Sequence, residues 1–326
     1  MKAVWYDRNG PAAEVLTYGD LPTPSPGPGE VLVRLATSGV NPSDWKTRLG
    51  RTRPKVFPRI VPHSDGAGRI EAVGEGVDRA RIGERVWIWN GQWKRPFGTA
   101  AEYIALPSAQ AVRLPDNTGF DAGACLGIPA LTALHAVLTD GGVTGQRVLV
   151  TGGAGAVGHY AIQFARLLGA AQILATVSSE EKAAHALAAD ADATINYRQE
   201  DVPDRIAALT GGHGVDRVVE VDVAGNAKIL PAILAPGGIC VAYGANQAAA
   251  TLEFGPAILK GIAVRFFIVY ELTEAQRRTA IGALTTWLER GLLQHAIAAR
   301  VPLADCARAH EASEQGRHIG NIVLDC

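Results

Sequence analysis

From Glu30 to about residue 120 the apolar residues come in short runs cut by Gly and Pro, at 30–36, 67–73 (AGRIEAV), 84–89 (ERVWIW) and 100–106 (AAEYIAL). Runs of that length with turn residues between them predict strands of a compact antiparallel β domain. The stretch Pro22 to Gly29, PTPSPGPG, reads as an extended lead into the first of them. Beyond residue 120 the period changes. Apolar strands at 147–151, 172–177, 193–196, 216–221 and 239–243 alternate with helical stretches near 156–168, 180–189, 200–209 and 225–234. Strand–helix alternation predicts a doubly wound parallel sheet, so the fold class is α/β with a smaller β domain before it. A strand at 261–268, a helix at 273–290 and a strand at 319–324 follow, the last of which would return the chain to the first domain.

Composition narrows the classes of function. The chain has 326 residues, enough for about two domains. Lys and Arg number 31 against 32 Asp and Glu, so no basic excess is available for nucleic acid or an anionic membrane. The start, MKAVWYDRNG, has no signal-peptide core, and apolar stretches are broken well before the ~18 residues a membrane span needs. Cys125, Cys240, Cys306 and Cys326 are far apart and form no C-x-x-C pair, so neither a disulfide framework nor a zinc knuckle is read from them, and the spacing suits the reduced thiols of a cytoplasmic protein.

The chemistry is concentrated after the strand RVLVT. There Gly153, Gly155 and Gly158 have G-x-G-x-x-G spacing, with Ala156 and Val157 opening the helix that follows. Spacing alone is weak, but a strand before it and a run of βα units after it make it a dinucleotide fingerprint. The first Gly would permit the tight turn, the second would let backbone approach a pyrophosphate, and the third would let helix and strand pack closely, with helix N–H groups facing the phosphate. An NAD site would place a carboxylate at the end of the second strand. This chain has Val177, Ser178 and Ser179 there, with Lys182 on the next helix and Tyr197 and Arg198 after the third strand. NADPH is therefore favoured over NADH, although Glu180 and Glu181 are also near, as ordinary helix-start residues.

These motifs, with PGPGEVLV, SGVNPSDWKTRLG, SDGAGRIEAVGEGV, GTAAEYIAL, GIPALTALHAV, TINYRQED and GNIVL in order, resemble the zeta-crystallin-like quinone oxidoreductases of the medium-chain dehydrogenase/reductase superfamily. The resemblance implies a GroES-like domain over 1–124 and 270–326, a Rossmann domain over 125–269, and a cleft between them for NADPH and an electron-poor acceptor. It also provides a test for zinc. Asn41, Ser64 and Ile128 stand near the three catalytic ligand positions of the zinc alcohol dehydrogenases, His63 is one residue off where relatives commonly have Gly, and no cysteine cluster exists for a structural site. No metal is expected.

By the same resemblance Asn41 and Thr132 face the nicotinamide end, Thr132 toward the carboxamide. Ser178, Lys182 and Tyr197 surround the 2′-phosphate, with Arg317 a further candidate. Gly244, Phe266, Phe267, Ile268 and Asn321 line the nicotinamide side, largely through backbone. Lys46 stands where relatives often have Tyr. Bland readings stand beside these. Asn41 is also a turn residue before Pro42, Asp44 a first-turn carboxylate, Lys46 a solvated charge rather than a contact to phosphate or acceptor, and His63 a structural turn residue rather than a proton donor. The loop Asn90 to Gly98, with Trp93, is either an acceptor platform or a locally packed loop, while Trp87 and Trp89 share a strand face and belong to the core. The remaining histidines, His135 and His310 among them, have no ligand spacing and no assigned role.

The expected activity is an NADPH-dependent hydride transfer to a quinone, with an enone or 2-alkenal reductase as the alternative and a non-catalytic NADPH-binding protein as a third. The apolar strand Ala263–Val269 would be the pairing edge of a homodimer.

Overall fold

The short apolar runs of the first third do pair antiparallel. The computed structural model describes residues 1–52 and 54–326. The chain divides into two compact units, Met1–Pro129 with Ile281–Cys326, and Ala130–Ala280. The boundaries expected at 124/125 and 269/270 thus fall later. Gly127 belongs with the β unit, because it packs against Asp65 and Ile88 too tightly for any Cβ. The second boundary falls inside the helix Glu274–Glu289.

In the β unit a strand over Glu30–Val40 is the hub of a seven-stranded sheet. It pairs antiparallel with Asp65–Val73, Tyr103–Pro107 and Asn321–Asp325. Its alternation puts Val31, Val33 and Leu35 on one face with Ile70, Val86, Ile88, Ile104 and Leu106, which form the core. The last strand therefore does return to the first domain, next to Ile297–Pro302, which the sequence pattern missed. Two short strands, Lys2–Trp5 and Thr17–Asp20, form a separate hairpin-like pair. Trp87 is fully buried, as expected. Trp89 lies beyond the strand Arg85–Ile88, is half-buried and donates its indole N–H to the Ala109 carbonyl, so it is not a core residue.

The second unit is a six-stranded, all-parallel sheet. Its spatial order is Ala193–Asn196, Gln172–Val177, Arg147–Val150, Val215–Glu220, Leu234–Ala242, Ala263–Phe266. In chain order that is 3-2-1-4-5-6, the doubly wound Rossmann arrangement, whose switch point lies between the first and fourth strands. The helix expected over 225–234 is broken into Val223–Asn226 and Leu230–Ile233, with a tighter turn between them. The helix Leu131–Leu138 carries Thr132 and is capped at its C-terminal end by a fully buried arginine. Arg217 donates to the carbonyls of Ala136, Asp140 and Gly142 at 3.0, 3.4 and 3.1 Å. Carbonyls at and just beyond a helix end are partially negative, so they accept from both terminal nitrogens of the guanidinium, while its buried Nε finds no partner among the described residues. No helix among the described residues is long and apolar enough to cross a membrane.

Candidate functional site

At the switch point the strand Arg147–Val150 runs through Thr151 into the glycine loop and the helix Ala156–Leu167. Gly152, not Gly153, makes the turn: its φ is +66°, in the left-handed region that favours glycine. Its N–H donates to Thr176 Oγ1 (3.1 Å), and that of Gly153 to the Thr176 carbonyl (3.0 Å), tying the loop to the second strand. Gly153 is needed for packing, since a Cβ there would meet that of Ala175 at 2.7 Å. A Cβ on Gly158 would stand 2.3 Å from the Gly152 carbonyl oxygen, whereas one on exposed Gly155 would meet that atom only at 3.3 Å. The second glycine is thus open on its outer side, with the first-turn N–H groups of Ala156, Val157 and Gly158 above it.

The residues read as a 2′-phosphate pocket are brought together. Asn196 pairs with Val177, so Ser178 and Tyr197 follow side by side. The Tyr197 N–H donates to the Val177 carbonyl. Ser179 caps the helix Glu180–Ala188 by accepting from the Lys182 N–H at 3.3 Å. Val177 ends its strand without a carboxylate. Arg317 belongs to the other unit, where it is exposed.

Of the residues expected at the nicotinamide, Thr132 is buried one helical turn from His135, whose ring meets that of Phe267 edge-on at 4.5 Å. Phe267 also faces Tyr243. Phe266 and Ile268 alternate to the opposite side and are exposed, so the three do not form one lining, and only backbone of Phe266 and Ile268 is available to a ligand beside Phe267. Gly244 lies against the Val221 carbonyl, which a Cβ would meet at 2.3 Å. Asn321 is in the β unit and nearly buried, with its side-chain amide and backbone N–H both donating to the Ala296 carbonyl. That is a strand-start role.

Glu220 was not singled out from sequence. It ends the fourth strand fully buried, and its carboxylate accepts from Thr151 Oγ1 (3.0 Å), the Asp222 N–H (2.5 Å) and Asn226 Nδ2 (3.0 and 3.1 Å). Burial pushes its carboxyl above the ordinary range, against the pull of those donors. Its signal was an acid closing the apolar run DRVVEV.

In the β unit the positions of the family's zinc ligands gather round Asp65. The Asn41 side-chain amide donates to Asp65 Oδ2 at 2.9 Å, and the Asn41 N–H donates to Asp44 Oδ2 at 2.7 Å, closing a capping box on the helix Pro42–Arg48. Ser64 Oγ accepts from the Gln92 N–H at 3.3 Å, and a Cβ on Gly127, next to Ile128, would touch Asp65 Oδ1. An amide, a hydroxyl and an isoleucine offer neither thiolate nor imidazole, so the residues present do not fit zinc. Asp65 is fully buried, and burial holds its carboxyl well above the ordinary range. The 90–98 loop is anchored to Ser64, through the Gly91 N–H on its carbonyl (2.9 Å) and Gln92 on its hydroxyl. It carries Asn90 and Lys94 at φ +55° and +57°, and Trp93 is half-buried with Lys94 Nζ 5.6 Å from its ring centre. Lys46 Nζ lies 5.6 Å from the Trp45 ring.

His63 is not a ligand contact. It is completely buried at φ +75°, with Nδ1 2.9 Å from Ser38 Oγ and Nε2 2.8 Å from His310 Nε2. Burial pushes its imidazole down to about 3, so it is neutral at neutral pH and cannot serve as a proton donor. Among the described residues His63, Cys306 and His310 alone have donors grouped as a metal site would have them, all within 4.8 Å. The facing nitrogens already share a proton, and Arg48 Nε–H stands 3.4 Å from His310 Nδ1. A cation there would lie beside a buried guanidinium, which its Glu314 partner only balances.

The fold is shared with known proteins. Residues 27–116 match the family described as alcohol dehydrogenase GroES-like domain, and residues 156–286 that described as zinc-binding dehydrogenase. A human quinone oxidoreductase is 31% identical over 310 residues, 94% of this chain and 91% of that protein. A 2-haloacrylate reductase from Burkholderia sp is 32% identical over 342 aligned positions, 99% of this chain and 98% of that one. Among solved structures, an NAD-dependent alcohol dehydrogenase superposes with TM-score 0.91 at 32% identity, covering 100% of both chains. Escherichia coli quinone oxidoreductase complexed with NADPH superposes with TM-score 0.89 at 26% identity, again covering 100% of both. The chain is a member of the medium-chain dehydrogenase/reductase superfamily, in its zeta-crystallin-like quinone oxidoreductase family.

Proposed function

We propose that the protein is an NADPH-dependent, zinc-independent reductase that delivers hydride to a quinone or a similar conjugated carbonyl acceptor. The observation that carries the reading is the donor set round Asp65, where Asn41, Ser64 and Ile128 replace the ligands of a zinc alcohol dehydrogenase, in a chain whose glycine loop is intact. Without a Lewis acid, oxidation of an alcohol is disfavoured, while a quinone is electron-poor enough to accept hydride unaided. The bound cofactor supplies the hydride at nicotinamide C4. The chain's own part is placement: the glycine-loop N–H groups hold pyrophosphate, Ser178, Ser179, Lys182 and Tyr197 hold the 2′-phosphate, and Thr132 orients the carboxamide. Asn41, Lys46 and the Trp93 loop are the acceptor-side residues. The 2-haloacrylate reductase relative favours a second reading, reduction of an activated C=C bond.

Initial rates of nicotinamide oxidation against a panel of quinones, enones and haloacrylates, with NADPH and NADH in parallel, test both. The expected outcome is quinone turnover with NADPH preferred, unchanged by chelators. Turnover of enones alone would transfer the assignment to the second reading, and no turnover with any acceptor would leave a dinucleotide-binding protein without an enzyme's function.

The assembly proposed is a homodimer in the cytoplasm, where cysteines of this spacing stay reduced. The strand Ala263–Phe266 is a sheet edge that exposes Phe266 (66%), and the helix Phe254–Lys260 before it exposes Phe254 (75%) and Leu259 (88%), apolar surface that favours association. Sedimentation should give twice the 34.2 kDa chain mass. A monomer at micromolar concentration would refute the dimer.

A further inference from the structure

Val221 follows the buried Glu220 at the mouth of the switch point and is 41% exposed, although hydrogen bonds tie down the backbone on both sides of it. Its N–H donates to Thr151 Oγ1 at 2.9 Å, and Thr151 is itself bonded to Glu220. On the other side Asp222 accepts from the Asn246 N–H (2.8 Å) and Asn246 Nδ2 (3.0 Å), and the Val223 N–H donates to the Gly244 carbonyl (3.1 Å). A Cβ on Gly152 would stand 3.2 Å from Val221 Cγ1, and one on Gly244 2.3 Å from the Val221 carbonyl oxygen. Three loops, after the first, fourth and fifth strands in chain order, are thus laced together by two carboxylates round one open valine.

We propose that Glu220 and Asp222 are positioning residues that fix Val221 as an apolar seat for the ribose and nicotinamide half of the dinucleotide. The inference rests on the cofactor reading above. Two acids at the phosphate-binding end of a sheet would ordinarily repel an anionic ligand. Their oxygens are instead turned to N–H and O–H donors of the chain itself, so the surface presented between Gly152 and Gly244 is the valine and backbone. An apolar wall with the polar groups committed elsewhere suits a flat ring and a sugar edge, and loops ordered before binding do not have to be ordered by it.

The test uses the whole protein with NADPH as probe, reading dissociation constant by fluorescence titration, kcat and KM with the best acceptor, and melting temperature of the unliganded protein. D222A is expected to weaken NADPH about tenfold, the effect of losing about two exposed hydrogen bonds, and to lower kcat at saturating NADPH, with the melting temperature nearly unchanged. D222N, which keeps an acceptor for the Asn246 N–H, should recover most of the affinity. V221A should weaken NADPH about threefold or more. E220Q puts an amide NH₂ against donors and should weaken binding more than D222A; should it fail to fold, D222A and V221A still decide. Unchanged NADPH affinity and kcat in both of these, with a wild type that binds NADPH, would overturn the inference alone. A wild type that binds no nicotinamide dinucleotide would overturn the cofactor reading and the inference with it.

Discussion

Alanine at Gly158 is expected to abolish dinucleotide binding, by a hundredfold or more, and to lower the melting temperature of the unliganded protein. The added Cβ would stand 2.3 Å from the Gly152 oxygen and 2.9 Å from Gly153 Cα, and both neighbours are backbone. Neither can rotate away. The loop must move as a whole, and a shift of about 1 Å takes several N–H groups out of hydrogen-bond range of a pyrophosphate at once. Gly155 provides the contrast. Its Cβ meets only the Gly152 oxygen, at 3.3 Å, and its outer side is solvent. G155A should therefore keep the unliganded stability of the wild type while losing affinity, because the methyl group intrudes on the ligand and not on the protein. Paired thermal melts and NADPH titrations check both. A G158A protein that binds like wild type would remove the glycine loop from the binding site.

The second large effect is on stability against pH. The His63 imidazole has a folded-state value of about 3 against the ordinary 6.5, and burial with His63 and Arg48 nearby holds His310 well below its ordinary value too. Both are neutral in the folded protein, and both take up a proton on unfolding below pH 6.5. Their contribution is complete above that pH and is lost as pH falls toward 3, at about 1.4 kcal/mol per pH unit for each histidine. Asp65 has the opposite sign. Its raised carboxyl binds a proton in the folded state that the unfolded chain releases above its ordinary 3.8, so its contribution is greatest at low pH and falls as pH rises through the folded value. It opposes the two histidines in sign. Asparagine tolerates positive φ, so H63N should fold. Between pH 6.5 and 5 it should lose about 2 kcal/mol less than wild type in denaturant titrations, and D65N should lose more. Equal pH slopes in wild type and H63N would show that the imidazole is not buried neutral.

Much of the site was readable because it is local in the chain. The glycine loop and the carboxylate-free end of the second strand are each contiguous in the chain, so spacing together with the strand and helix around them carried the reading, while the grouping of Ser178, Lys182 and Tyr197 round a 2′-phosphate came from the family resemblance. Strand ends were readable to within a few residues for the same reason. What pattern could not show depends on contacts between distant segments. His63 and His310 are 247 positions apart, and only the fold reveals that a candidate acid is a buried, neutral ring. Asn321 stands in a recognisable motif, yet the structure occupies its amide with a carbonyl, while Phe266 turns its ring away from Phe267 and keeps only its backbone for the lining that the resemblance implies. The turn role moved from Gly153 to Gly152 because two adjacent glycines are indistinguishable in spacing and differ only in φ. The helix near 225–234 failed on Gly225 and Pro231, both visible in the sequence. Glu220 stood in plain sight at a strand end, but an isolated acid has no meaning until Thr151, Asp222 and Asn226 converge on it.

The contacts round His63 also have a direction. Arg48 can only donate, so Nδ1 of His310 accepts and its Nε2 carries the hydrogen toward His63 Nε2. His63 must then donate from Nδ1 to Ser38, whose hydroxyl is 2.8 Å from that of Thr99, and the Thr99 hydroxyl donates to the Asp65 carbonyl. Each hydrogen in this string is assigned by the one before it, beginning from a group that never releases its own. Such a string polarises in one sense but conducts nothing, since no proton can enter at the arginine to replace one leaving at the other end. The two buried histidines are therefore insulated from any chemistry outside the string, and neither ring relays the proton that completes a reduction.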